Sequence, residues 1–270
     1  MTGSLKGIYL VPGLPHILHK PDANKHYTAL RAGFAGVASE IEQRGVSRIL
    51  YYSTSWIAVL GQMIQARECL KGYHVDENWH DQGNLNFDFR IDRKFSEVLA
   101  EKFRAAKHSV SLVDYEGFPV DTGTIVADEL VNPRKLPTTI VANHVYTDFS
   151  GTVALAKLVR QAIDEEKVPT AVVVVSGLSG RFFTNVIDWR EDAISDAQDD
   201  KWNKDLLDLM SSGKYEQVDS LIPEYGRATK ADMGFKAYGF VRGLMPAEQA
   251  RANVLAYGAI YGTGAAVVSF

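Results

Sequence analysis

Three observations predict an α/β fold with a mainly parallel central sheet and helices on both faces. Short β-rich runs alternate with stretches of helical periodicity, the order that builds a parallel sheet between helical layers. The run Ala171-Val-Val-Val-Val175 is apolar at every position, as in a strand covered on both faces. No repeat, low-complexity tract or Pro/Ser-rich linker interrupts the 270 residues, so a single domain over 1–270 is expected.

Leu5–Val11 reads as the first strand. After a Gly/Pro/His loop, Leu30, Phe34, Val37 and Ile41 recur at helical spacing and define a helix from about Asp22 to Arg44, ended by Gly45. A strand at Arg48–Tyr52 follows, then a long irregular stretch from Tyr73 to Arg90. That stretch exceeds a simple connector and is expected to line a pocket or an interface. A helix at Asp92–Ala106, strands at Ser109–Val113 and Thr138–Ala142, a helix at Asp148–Glu166 and a strand at Thr170–Val175 complete the alternating part. The last third is more helical, with helices at Asp199–Ser212, Tyr215–Leu221 and Ala228–Leu244. Gly262–Phe270 is so apolar that it reads as a final strand whose two faces are covered, by this chain or a neighbour.

Composition narrows the function. With 29 basic and 33 acidic residues the net charge is −4 and no Lys/Arg cluster stands out, so a nucleic-acid partner is excluded. The opening segment Met1–Ile17, broken by Pro12 and Pro15, lacks the pattern of a secretory signal, and no apolar run is long enough to span a bilayer. A cytoplasmic protein without a membrane partner is expected. Cys69, the only cysteine, excludes an internal disulfide and reads as a buried small hydrophobe.

Several segments carry potential chemistry. His16 and His19 follow the first strand, where α/β sheets bind ligands; position alone leaves His16 open between a pocket histidine and a capped loop residue. Ser53-Thr54-Ser55-Trp56, at the end of the second strand, offers only hydroxyls, which are weak transition-metal ligands. His74-Val-Asp76-Glu77-Asn78-Trp79-His80 has a His-x5-His spacing that fits no helical ligand pair, and a loop pinned by Trp79 is the better reading. Ser176-Gly-Leu-Ser-Gly180 is followed by Arg181 and is no nucleophile elbow. Gly262-Thr-Gly264 has no helix after it, so a dinucleotide fingerprint fails. The acidic run Glu191–Asp200 reads as a solvated loop with Asp199 or Asp200 near a helix cap.

Taken in order, these segments resemble the class III extradiol ring-cleavage dioxygenases, nearest to the aminophenol-cleaving branch. The resemblance runs from the Pro-His loop through Tyr52–Trp56, His74–His80, Tyr115-Glu-Gly-Phe-Pro-Val-Asp-Thr-Gly-Thr124 and Ser176–Ser179 to Met233-Gly-Phe-Lys236. It implies an Fe(II) site of two histidines and a glutamate, with a further histidine as acid–base. His16 matches the first ligand. Ser55 stands where the second histidine belongs, Asp232 at the carboxylate position, and Gly180 at the acid–base position. The aspartate is shorter than glutamate by one carbon–carbon bond, about 1.5 Å. His16, Ser55, Gly180 and Asp232 are therefore expected to form a vestigial pocket with no catalytic residue and no metal in this chain. Fe(II) is then expected in a homologous catalytic β subunit, in an α2β2 assembly. Two alternatives are an active enzyme that recruits His19, His74 or His80, and a module that binds an aromatic ligand.

Overall fold

The computed structural model describes residues 4–181, 184–246 and 251–270; the first three residues of the opening segment lie outside them. The chain opens with strand β1 (Leu5–Val11), the single turn α1 (His16–His19) and helix α2 (Lys25–Gln43). Asn24 caps α2 by accepting the amides of His26 and Tyr27 at 2.8 and 3.0 Å. Strand β2 (Arg48–Ala58) and the short β3 (Gln62–Gln65) follow. The hairpin β4 (Cys69–His74) and β5 (Leu85–Arg90) leads to helix α3 (Arg93–Ala105) and strand β6 (Val110–Val113). Helix α4 (Thr122–Val131), strand β7 (Thr138–His144), helix α5 (Phe149–Glu166) and strand β8 (Thr170–Val175) come next. Helices α6 (Ala197–Ser211), α7 (Tyr215–Thr229) and α8 (Lys236–Leu244) precede the hairpin of β9 (Asn253–Ile260) and β10 (Thr263–Ser269).

Eight strands form one sheet in the order β6-β3-β7-β2-β8-β1-β10-β9. The central four, β7-β2-β8-β1, are parallel; β10 and β9 add antiparallel strands at one side, and β3 meets β7 antiparallel at the other. Alternation along each central strand sorts the core into two layers. Leu50, Tyr52, Val172 and Val174 face α3, α5, α7 and α8, while Ile49, Tyr51, Val173 and Val175 face α2 and α4. Tyr52 stacks on Phe240 of α8, with ring centroids 4.1 Å apart. Among the described residues no helix is long and apolar enough to cross a membrane.

The structure departs from the sequence reading at identifiable places. Tyr73–Arg90 is no structureless loop: its ends belong to the β4–β5 hairpin, where Lys71 pairs with Asp88 at 3.1 Å. Cys69 is exposed, because Leu70 and Phe89 take the inner face of that hairpin and leave Cys69 and Arg90 outside. Ala228–Leu244 is two helices broken at Lys230–Phe235, where Lys230, Met233, Gly234 and Phe235 all have positive φ. In the acidic run, Asp192 and Asp199 are buried rather than solvated, while Asp199 and Asp200 do lie in the first turn of α6, beside its cap Asp196, whose side chain accepts the Gln198 amide. The C-terminal strand lies inside the sheet between β1 and β9, and this chain itself covers both faces, with Ala266 and Val268 in one core layer and Ala265 and Val267 in the other. Gly262 belongs to the two-residue turn that joins β9 to β10, with positive φ at Tyr261 and Gly262, the geometry of a type I′ turn.

Candidate functional site

A cavity of about 440 Å³ opens at the carboxyl ends of β1, β2 and β8. Pro12–Leu14, Ser55 and Val175–Gly180 line it from those strand ends, and His74 and Asp76–Trp79 close it from the hairpin. Ser55 reaches it because β2 bulges. Ser53 pairs with Ala142 but Ile57 pairs with Asn143, so residues 54–56 are looped out of the ladder with β7. Bulges re-aim side chains beside functional sites in this way. The backbone stays in the strand beyond the bulge, since β2 runs on to Ala58.

Three of the four positions singled out in the sequence, Ser55, Gly180 and Asp232, line this cavity. Asp232 sits on the 3-10 turn before α8. Its carboxylate accepts the hydroxyls of Thr54 and of Ser176, the latter at 3.3 Å. Burial raises its pKa above the ordinary carboxylate value, and the two hydroxyls and Lys236 oppose that shift. Lys236, buried, donates to the carbonyls of His144, Val145 and Thr147 at 2.8, 3.2 and 2.9 Å. At Gly180 the amide donates to the Thr229 carbonyl at 3.1 Å, which holds the residue against the α7 terminus.

His16 stands apart. It is fully buried and is not among the residues that line the cavity. Its ring lies edge-on to Trp79 at 4.5 Å and close to Tyr261 at 5.1 Å, and neither ring nitrogen has a partner. Desolvation holds its pKa down at about 4, so the ring is neutral near pH 7. Trp79 also packs edge-on against Tyr261 at 4.5 Å and thereby pins the His74–His80 loop.

Sequence reasoning missed the polar girdle of the cavity. Asp121, the cap of α4, accepts the Ser53 hydroxyl at 2.7 Å and the Thr124 amide at 2.9 Å. Thr122 donates to Asp76 and therefore accepts from His74 Nε2 at 3.0 Å, which puts the ring proton on Nε2. Ser179 accepts from Asn203 at 2.9 Å, and Asn203 accepts from Tyr225 at 2.7 Å. The Asp121-Thr-Gly-Thr124 capping pattern was the one available signal. Asp76, Glu77, Asp121 and Asp232 line the cavity, and among the described residues no lysine or arginine joins them, so an anionic ligand is disfavoured there.

The donor set does not fit the Fe(II) that the resemblance implies. A facial triad needs three strong donors converging on one open side. Here one position supplies a serine hydroxyl, the carboxylate is bonded to two hydroxyls, and the histidine is sealed between aromatic rings. Among the described residues no three His, Cys, Asp or Glu side chains come close enough to share an ion.

Comparison with known proteins agrees with this scaffold. A family model described as the catalytic LigB subunit of aromatic ring-opening dioxygenase matches residues 7–268. The chain is 38% identical to a Pseudomonas 2-aminophenol 1,6-dioxygenase alpha subunit over 97% of both chains. It is 23% identical to a Pseudomonas 2-aminophenol 1,6-dioxygenase beta subunit, over the whole of this chain and 94% of that one. The crystal structure of the uncharacterised Escherichia coli K12 protein JW3007 shares the fold, with a TM-score of 0.71 at 13% identity over 98% of this chain and 99% of that one. With nearly its whole length matched and its fold shared, the chain belongs to the LigB family of aromatic ring-opening dioxygenases.

Proposed function

We propose that this chain, folded as one domain, is a non-catalytic α-type subunit of a cytoplasmic extradiol dioxygenase acting on 2-aminophenol or a close relative. It packs against and stabilises a homologous β-type subunit that carries the Fe(II), in an α2β2 assembly. The observation that carries this reading is the closed acid–base position. A β-carbon at Gly180 would stand 2.9 Å from the Lys230 carbonyl oxygen, so no proton-carrying side chain fits there without moving the backbone. Serine at position 55 removes a ligand from the same cavity. The relatives' division into alpha and beta subunits supports the pairing.

The test reconstitutes the isolated chain anaerobically with Fe(II) and scores bound iron and ring cleavage of 2-aminophenol together. The expected result is no stoichiometric iron and no turnover, with activity appearing in the β-type partner. Iron near one per chain with turnover would overturn the reading and turn attention to His19, His74 or His80 as ligands. A second reading, that the cavity binds an aromatic molecule and reports it to the partner, is favoured by its size and by Trp79 in its wall. Saturable binding of 2-aminophenol to the iron-free chain checks it.

A further inference from the structure

The loop at the tip of the β4–β5 hairpin, residues 75–84, turns every third side chain inward. Asp76, Trp79 and Gln82 are half-buried, and the other seven residues are exposed. Asp76 sets the turn: its carboxylate accepts the amides of Asn78 and Trp79 at 2.9 and 3.2 Å, which curls the chain and aims the indole inward. The Trp79 carbonyl then accepts the Gln82 amide at 3.0 Å and starts the 3-10 turn His80–Gln82.

The indole ends against two rings. It meets His16 edge-on at 4.5 Å and Tyr261 edge-on at 4.5 Å, while His16 and Tyr261 lie 5.1 Å apart. The three rings close a triangle of aromatic contacts. Trp79 also lines the cavity, whereas His16 does not. The indole is the partition between them.

The seam behind that partition gathers polar groups that the fold leaves unpaired. Among the described residues seven buried side-chain polar atoms have no hydrogen-bond partner within the chain. Four of them lie here: both ring nitrogens of His16, Nε2 of His19 and Oε1 of Gln82. The loop backbone passes close to His19, since a β-carbon at Gly83 would lie 3.8 Å from His19 Cε1. Polar groups buried without a partner cost free energy, so the loop is seated against a penalty and lifts more readily than the sheet beneath it opens.

We infer that Trp79 is a built-in plug: the hairpin tip carries its indole into a ring-sized space beside His16 and Tyr261, and the seated indole shuts His16 out of the cavity. The space takes one flat aromatic ring system, and in this chain the chain itself supplies it. The inference rests on the non-catalytic reading for its consequence and adds the contact that enforces it. Donors restored at positions 55 and 180 would still meet no histidine from α1 until the tip lifts.

The test is modification of the full, iron-free chain by diethylpyrocarbonate near neutral pH, read residue by residue by mass spectrometry. The His16 ring is neutral there, so its rate reports access rather than charge. In the unsubstituted chain His16 is expected to react about tenfold or more slower than the exposed His80. Trp79→Gly is expected to raise the His16 rate about tenfold with circular dichroism unchanged, and added indole to bind in the vacated space and restore protection. Trp202→Ala, which removes an indole packed on the other core layer, is expected to leave His16 protected. Trp79→Leu keeps the loop apolar without a ring; it takes the place of Trp79→Gly if that variant does not fold, with the same expected rise. Equal rates at His16 and His80 in the unsubstituted chain would overturn the inference. So would a folded Trp79 variant whose His16 stays protected, indole that fails to protect Trp79→Gly, or loss of protection in Trp202→Ala. Stoichiometric iron with turnover in the unsubstituted chain would instead sink the non-catalytic reading and leave these iron-free rates as they stand.

Discussion

A side chain at Gly180 would collide with the carbonyl oxygen of Lys230, only 2.9 Å from where its β-carbon would lie. Lys230 has left-handed backbone at the end of α7, and the adjacent Thr229 carbonyl receives the Gly180 amide at 3.1 Å. The contact is backbone against backbone, so no rotamer change relieves it. Gly180→Ala is therefore expected to destabilise the fold by roughly 1–3 kcal/mol, the usual cost of overpacking. Urea denaturation would measure it. Because the obstacle is main chain, the double variant Ser55→His with Gly180→His is expected to show no ring cleavage when loaded with Fe(II). Measurable cleavage by that variant would mean that the Lys230 segment yields.

His16 sets an acid limit on stability. Its folded pKa is about 4 and its ordinary value 6.5, with burial the largest cause. Between those values the unfolded chain binds a proton that the folded chain refuses, so stability falls as pH drops from 6.5 to 4. The full loss from this residue is on the order of 3 kcal/mol. His16→Leu is expected to be near neutral or stabilising at pH 7, since neither ring nitrogen has a partner to lose. It should also flatten the acid limb of a Tm-against-pH curve. An unchanged acid limb would show that the ring protonates without cost.

Much of the scaffold was legible because its signals are local. Leu5–Val11 and Thr170–Val175 are strands with the predicted ends, and Asp92 and Asp148 cap the helices expected after them. The family resemblance names Ser55, Gly180 and Asp232 together, and in the fold the ends of β2 and β8 and the turn before α8 bring them to one cavity. The remainder depended on tertiary contacts. The break before α8 uses positive φ at Met233 and Phe235, residues that give no turn signal. His16 is sealed by Trp79 and Tyr261, partners distant in sequence that periodicity cannot pair. Helix α4 starts within the Tyr115–Thr124 motif and runs on to Val131, and β9 lay too near its hairpin turn to stand out from the apolar C-terminus.

Asp192 illustrates how a charge run can mislead. It is buried and accepts the Tyr27 hydroxyl at 2.7 Å, the Gly262 amide at 2.8 Å and the Tyr261 amide. One carboxylate thus ties α2 to the β9–β10 turn, and through Tyr261 it steadies the wall formed by Trp79. Asp192→Ala would remove the acceptor shared by the Tyr27 hydroxyl and the two turn amides, at a cost of about 3 kcal/mol or more. Asp192→Asn keeps one acceptor oxygen and should fall between. A midpoint shift below about 2 °C for the alanine variant, where 1 kcal/mol moves Tm by roughly 2–4 °C at this size, would show that water replaces the carboxylate.

Two helical glycines should respond to alanine in opposite directions. Gly243 in α8 faces α5 so closely that a β-carbon would lie 2.6 Å from the Ala156 Cβ and press on the Val153 carbonyl oxygen. Gly36 in α2 has only the Leu255 Cδ1 within reach, at 3.6 Å, an ordinary contact. Alanine gains about 1 kcal/mol over glycine in a helix interior. At Gly36 nothing opposes that gain, so Gly36→Ala is expected to stabilise by roughly 0.5–1 kcal/mol. At Gly243 the helices must separate or the backbone must shift, and an overpacking cost of about 1–3 kcal/mol or more outweighs the propensity. Gly243→Ala should therefore lower the urea midpoint with its slope unchanged, while Gly36→Ala raises it. Equal shifts in the two variants would mean that α8 packs less tightly on α5 than its glycine implies.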